Sequence, residues 1–78
     1  MRVQVRLFGD FRYLLKDSGG RAALEMAEPA TVQNLLDRLG IKEADTGLVS
    51  INGSVVPPES VLGDGDEVDV FSPIGGGQ

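Results

Sequence analysis

The sequence predicts an α+β fold in which a single helix lies on one face of a mixed β-sheet, and three observations lead there. The opening residues alternate apolar and polar with the period of a half-buried strand, and the same rhythm returns late in the chain. One central stretch repeats its leucines at helical spacing, and Asn52-Gly53 stands between two short β-branched runs as a hairpin turn. At 78 residues there is room for one core only. A chain of this size hides about 60–65% of the surface that its unfolded form exposes, which leaves no space for a large enclosed site.

The elements follow in order. Val3, Val5 and Leu7 share one parity of residues 2–8, with Arg2, Gln4, Arg6 and Phe8 on the other, so the first strand has an apolar face and a mixed one. Phe11, Leu14 and Leu15 at i, i+3 and i+4 predict a short helical turn, which Ser18-Gly19-Gly20 stops. Residues 21–27 alternate again, with Ala22, Leu24 and Met26 on one side. Thr31 is suited to an N-cap, Val32, Leu35, Leu36 and Leu39 form an apolar stripe, and Gly40 is placed to end the helix in the left-handed conformation. A helix of about two turns is not stable alone, so its leucines must lie on a sheet.

Leu48, Val49 and Ile51 predict a strand before Asn52-Gly53, and Val55-Val56 a short strand after it, ended by Pro57-Pro58. Val61-Leu62 fall in a turn, Gly63-Asp64-Gly65-Asp66 form a loop, and Glu67, Val68, Asp69, Val70 and Phe71 alternate as a last strand. One helix on a four- to five-stranded mixed sheet, in this order, is the β-grasp arrangement. Residues 1–71 form that domain and residues 72–78 a flexible glycine-rich tail. If the first and last strands are neighbours, Arg2 and Arg6 share the uncovered face with Glu67 and Asp69, and Phe8 and Phe71 meet there. The competing expectation is that the Phe11–Leu15 turn folds over these two rings.

Composition narrows the function. The chain has no cysteine and no histidine, which removes thiolate nucleophiles, the usual zinc ligands and the commonest general base. No apolar run approaches a membrane span and no signal peptide is recognisable, so a cytoplasmic protein without a membrane partner is expected. All seven Lys and Arg residues lie within 1–42, whereas residues 43–78 carry seven acids and no base. Such a half repels phosphate backbones, which argues against nucleic acid and for a basic protein surface as partner. Asp64, Asp66 and Glu67 lack the ligand spacing of a calcium loop and read as a solvated turn, so no metal site is expected. Asp66 is placed to bond the backbone of that turn. Neither Lys16 nor Lys42 is marked for Schiff-base chemistry.

The tail Ser72-Pro73-Ile74-Gly75-Gly76-Gly77-Gln78 is the informative segment. Consecutive glycines lose the most backbone entropy on ordering and offer nothing to pack, so they do not serve the fold. Extended, the tail reaches about 20 Å past the last strand, far enough to enter another protein. A carboxyl group on glycine has no side chain to obstruct a narrow channel. A frayed end is the plain alternative.

Ile51-Asn52-Gly53, the run Leu62-Gly63-Asp64-Gly65-Asp66-Glu67-Val68 and the closing Phe71-Ser72-Pro73-Ile74-Gly75-Gly76-Gly77 resemble the small ubiquitin-like sulfur carriers of the MoaD/ThiS family. Val3 to Phe8 with Phe11-Arg12-Tyr13-Leu14 agrees, so the resemblance covers nearly the whole chain. Length and the proline before the glycines look more like the molybdopterin synthase small-subunit branch. The resemblance implies a non-enzymatic carrier whose terminal glycine is adenylated with ATP by a ubiquitin-activating-like adenylyltransferase and converted to a thiocarboxylate. It also implies a sulfur-accepting synthase large subunit as partner, and no cofactor on the chain itself.

Members of this family end in Gly-Gly, whereas Gln78 follows the glycines here. The resemblance therefore places the reactive carboxylate on Gly77 once a protease has removed Gln78. Phe8, Phe71, Pro73, Ile74, Gly75 and Gly76 are expected to contact partners. Two other functions share this reading of the residues: a ubiquitin-like modifier joined to lysines through the same glycine, and a non-catalytic β-grasp binding subunit.

Overall fold

The structure, a computed structural model, describes residues 1–72. Five strands, β1 (Arg2–Phe8), β2 (Arg21–Glu25), β3 (Leu48–Ile51), β4 (Ser54–Val56) and β5 (Glu67–Phe71), form one sheet in the order β2-β1-β5-β3-β4. β1 and β5 run parallel at its centre and the other pairings are antiparallel. This is the ubiquitin-like β-grasp, with the sheet at the upper end of the expected strand number.

The single α-helix among the described residues, α1 (Val32–Leu39), forms where its stripe predicts. Thr31 caps it reciprocally: its hydroxyl accepts from the Asn34 N–H at 3.2 Å, and the Asn34 side chain accepts from the Thr31 N–H at 2.8 Å. Gly40, at φ 78°, closes the other end. Its N–H donates to the Asp37 carbonyl and the Ile41 N–H to that of Leu36, the crossed pair that satisfies the last carbonyls of a helix. The N–H groups of Val32 and Gln33 donate to the carbonyls of Ser60 and Pro58, which docks the start of α1 on the loop after β4.

The core lies between α1 and one face of the sheet. Val3, Val5 and Leu7 of β1, Val68 and Val70 of β5 and Val49 of β3 meet Val32, Leu35 and Leu36 of α1 there. Each of the two leucines is fully buried and contributes about 1.5–3 kcal/mol of transfer free energy. The alternation along β1 and β5 thus leaves Arg2, Gln4, Arg6, Phe8, Glu67, Asp69 and Phe71 on the face without the helix.

Three expectations need correction. The Phe11–Leu15 stretch is a 3₁₀ segment, Gly9–Ser18, whose backbone leaves helical values at Leu15 (φ −128°, ψ 41°). No continuous helical face exists to bury all three residues: Phe11 enters the core, Leu15 packs against it and Leu14 stays 39% exposed. Arg2 does not pair with the acids of β5. The parallel register sets Gln4 opposite Glu67, and Arg2 lies across from Glu25 of β2, 3.7 Å away. β2 itself is shorter than residues 21–27, although Met26 keeps the inward parity and is buried.

Candidate partner-binding face and tail root

The parallel pairing of β1 and β5 aligns Arg6 with Asp69 and Phe8 with Phe71 on the helix-free face. The two rings stack, with centroids 4.7 Å apart and planes 9° from parallel. The Arg6 guanidinium carbon lies 5.6 Å from the Phe8 centroid, and Asp69 grips the same guanidinium through both carboxylate oxygens, at 2.8 and 2.9 Å. The Asp69 hydrogen bonds, then its charge, with Glu67 adding to it, hold the Arg6 pKa above its ordinary value. A fixed ion pair therefore borders the aromatic pair.

β3 adds a third apolar residue to this row. Leu48 is opposite Phe71 and 40% exposed, so Phe8, Phe71 and Leu48 cross three strands side by side. Sequence reasoning missed Leu48, although counting back from the Asn52-Gly53 turn points Ile51 and Val49 inward and Leu48 outward. Phe11 and Leu15 turn to the core, Leu14 and Tyr13 stay exposed, and Phe8 and Phe71 are each half-buried.

At the other end of β5 lies a clasp of side chains. The Asn52 amide donates to Asp66 at 3.1 Å and its oxygen accepts from the Glu67 N–H at 3.0 Å. The other Asp66 oxygen accepts from the Gly63 N–H at 2.7 Å, as expected of a turn-holding aspartate. Asp64 accepts from the Arg2 N–H at 2.8 Å. These acids are engaged on the fold, and among the described residues no three His, Cys, Asp or Glu come together in a metal-binding group.

β5 ends at Phe71, and Ser72 begins the segment beyond it. Ser72 is approached closely from two sides. A Cβ on Gly47 would lie 2.6 Å from the Ser72 carbonyl oxygen, and a Cβ on Gly9 would run into the Ser72 side chain. Sequence reasoning missed both roles, because each glycine serves a neighbour far away in the chain. The expected contacts Pro73, Ile74, Gly75 and Gly76, the reactive Gly77 and the removable Gln78 lie outside the described residues. No described helix is long and apolar enough to cross a membrane.

Residues 5–77 match the model of the ThiS family. A Pyrococcus furiosus protein described as molybdopterin converting factor, subunit 1, is 27% identical, with 95% of this chain and 99% of that one covered and a TM-score of 0.75. Small archaeal modifier protein 1 of Haloferax volcanii is 20% identical over 94% of this chain and 98% of its own, with a TM-score of 0.75. A chain of the complex of molybdopterin-converting factor subunits 1 and 2 from Helicobacter pylori is 21% identical, over 99% and 100%, with a TM-score of 0.65. The last two likenesses are of fold. None of the curated proteins matches.

Proposed function

The chain belongs to the ThiS family, and on that premise we propose that it is a sulfur carrier of the MoaD/ThiS kind with the carboxylate of Gly77 as its chemical site. The observation that carries the reading is the extent of the family match, which covers residues 5–77 and so takes in the helix, most of the sheet and the glycine run. A protease removes Gln78 in this reading. A ubiquitin-activating-like adenylyltransferase then joins the exposed carboxylate to the α-phosphate of ATP and releases pyrophosphate. The carboxylate alone is a poor electrophile; the acyl-adenylate is a good one because AMP leaves readily. A sulfur nucleophile attacks the acyl carbon, expels AMP and leaves a thiocarboxylate, which hands its sulfur to a cofactor precursor of the molybdopterin type.

The carrier supplies only the acyl group, so catalytic side chains belong to its partners. The Helicobacter pylori protein is seen with a subunit 2. By analogy a synthase large subunit receives this chain, gripping Phe8 and Phe71 while Pro73, Ile74, Gly75 and Gly76 thread toward its active site. Aromatic side chains beside an arginine on an uncovered sheet face suit such an interface.

The test is direct. Protein lacking Gln78, incubated with ATP, sulfide and the host's ubiquitin-activating-like enzymes, should gain about 16 Da as oxygen is exchanged for sulfur. No gain with any of these enzymes overturns the reading. Higher-mass lysine conjugates in cell extracts would favour the modifier instead.

A further inference from the structure

The glycines of this chain divide by what they are for. At Gly19, Gly40, Gly53 and Gly65 an added Cβ would meet nothing within 4 Å, and each has a positive φ, so glycine serves the backbone conformation. At Gly9 and Gly47 the space itself is used, and in both cases Ser72 uses it, although Gly9, at φ 66°, also serves the backbone conformation, a strain that Gly9→Ala carries with or without the Ser72 side chain.

The two approaches differ in kind. A Cβ on Gly47 would lie 2.6 Å from the Ser72 carbonyl oxygen, 2.8 Å from its carbonyl carbon and 2.9 Å from the Phe71 carbonyl oxygen, all backbone atoms that cannot rotate away. The Gly47 N–H also donates to the Phe71 carbonyl at 2.8 Å, so the same stretch is held as well as crowded. A Cβ on Gly9 would meet the hydroxyl and Cβ of Ser72. Gly9 follows β1 and Gly47 precedes β3, the two neighbours of β5, so Ser72 is closed in from both flanks of its own strand.

We propose that Gly47 and Gly9 are positioning residues that fix the direction in which the chain leaves β5, so that a partner seated on the Phe8–Phe71 face meets the root of the tail at one set angle. The inference rests on the carrier reading above. A partner that engages both at once must otherwise freeze the orientation of one against the other, and a rigid origin removes that cost in advance.

The first test needs no partner. The chain has no cysteine, so Ile74→Cys takes a single nitroxide whose broadening of nearby backbone amides reports its place. Gly47→Ala should push Ser72 away from β3 and lower the broadening at Leu48 relative to Phe8 by about twofold, since a packed backbone shifts rather than absorbs a methyl group. Ser72→Gly should cancel the shift caused by Gly9→Ala, whose clash is with a side chain, and leave that of Gly47→Ala. If Gly47→Ala does not fold, the Gly9→Ala pair carries the same test. An unchanged broadening pattern in the folded variants overturns the inference.

The second test uses the activating enzyme. Gly47→Ala should raise the KM for the carrier about tenfold with kcat unaltered, the mark of lost joint engagement. Two glycines inserted between Ser72 and Pro73 uncouple direction from the body, so in that lengthened chain Gly47→Ala should have no further effect. A loss of equal size there would mean a merely structural role and would sink the proposal. All chains in this assay lack Gln78; should the one with no other change show no activation at all, the carrier reading fails, and the nitroxide pattern still decides whether the two glycines aim the chain.

Discussion

Asn52 donates its side-chain amide to Asp66 at 3.1 Å, and through that bond the β3–β4 turn is tied to the loop that leads into β5. Asn52 sits at φ 52°, in the left-handed region, so it serves the turn and the clasp together. Asn52→Gly keeps the turn and loses only the clasp, a destabilisation of about 1–2 kcal/mol. Asn52→Ala loses the clasp and strains the turn, costing about 1 kcal/mol more. Urea unfolding of the two variants should show that order; equal values would mean that backbone conformation contributes nothing at this position.

The stacked rings separate folding from binding. Phe8→Ala or Phe71→Ala forfeits an aromatic pair worth about 0.5–1.5 kcal/mol beyond its area and leaves the core intact. Binding to the synthase large subunit proposed as partner should weaken by about 2 kcal/mol or more. Leu35→Ala should instead cost about 2–5 kcal/mol of stability through the cavity it opens in the core. Calorimetry of folding and of binding on the three variants distinguishes the two kinds of residue.

The Arg6–Asp69 pair has a defined pH signature. A raised arginine pKa gives a contribution that is fully present below the unfolded value and is lost only as pH rises through the still higher folded one. The stability difference between the protein and Arg6→Met should therefore be level from neutrality to about pH 10. Arg6 is 43% exposed, so the difference should shrink as salt is added. Denaturant midpoints measured against pH and salt check both statements, and a slope on the alkaline side would contradict the first.

The C-terminal segment should be dispensable for folding and indispensable for function. Deleting the last three residues, or fusing a bulky domain to the C-terminus, should abolish thiocarboxylate formation with no change in the thermal midpoint. A fused protein that still supports cofactor synthesis in its host would point to the binding-subunit function.

Much of this was legible because it is local. The alternation of β1, the stripe and end signals of α1 and the Asn52-Gly53 turn each depend on residues a few positions apart, and each appears where the spacing puts it. The meeting of Phe8 and Phe71 was also readable, since parity needs only the assumption that the first and last strands are neighbours. What escaped reading depends on register and on close approach between distant segments. Arg2 finds Glu25 rather than an acid of β5 because a ladder offset decides the matter, and the crowding of Gly47 against Ser72 exists only once β3 lies beside β5. The 3₁₀ segment escaped for another reason: the spacing of Phe11, Leu14 and Leu15 fits a regular helix, and the break at Leu15 leaves no trace in residue type.

The central place of β5 has a mechanical consequence. The segment beyond Phe71 continues a strand hydrogen-bonded along both edges, to β1 and to β3. A tug by an enzyme drawing the chain end into its channel loads both ladders in shear, so they must rupture together rather than unzip one bond at a time. A fold built this way withstands being hauled in by its end.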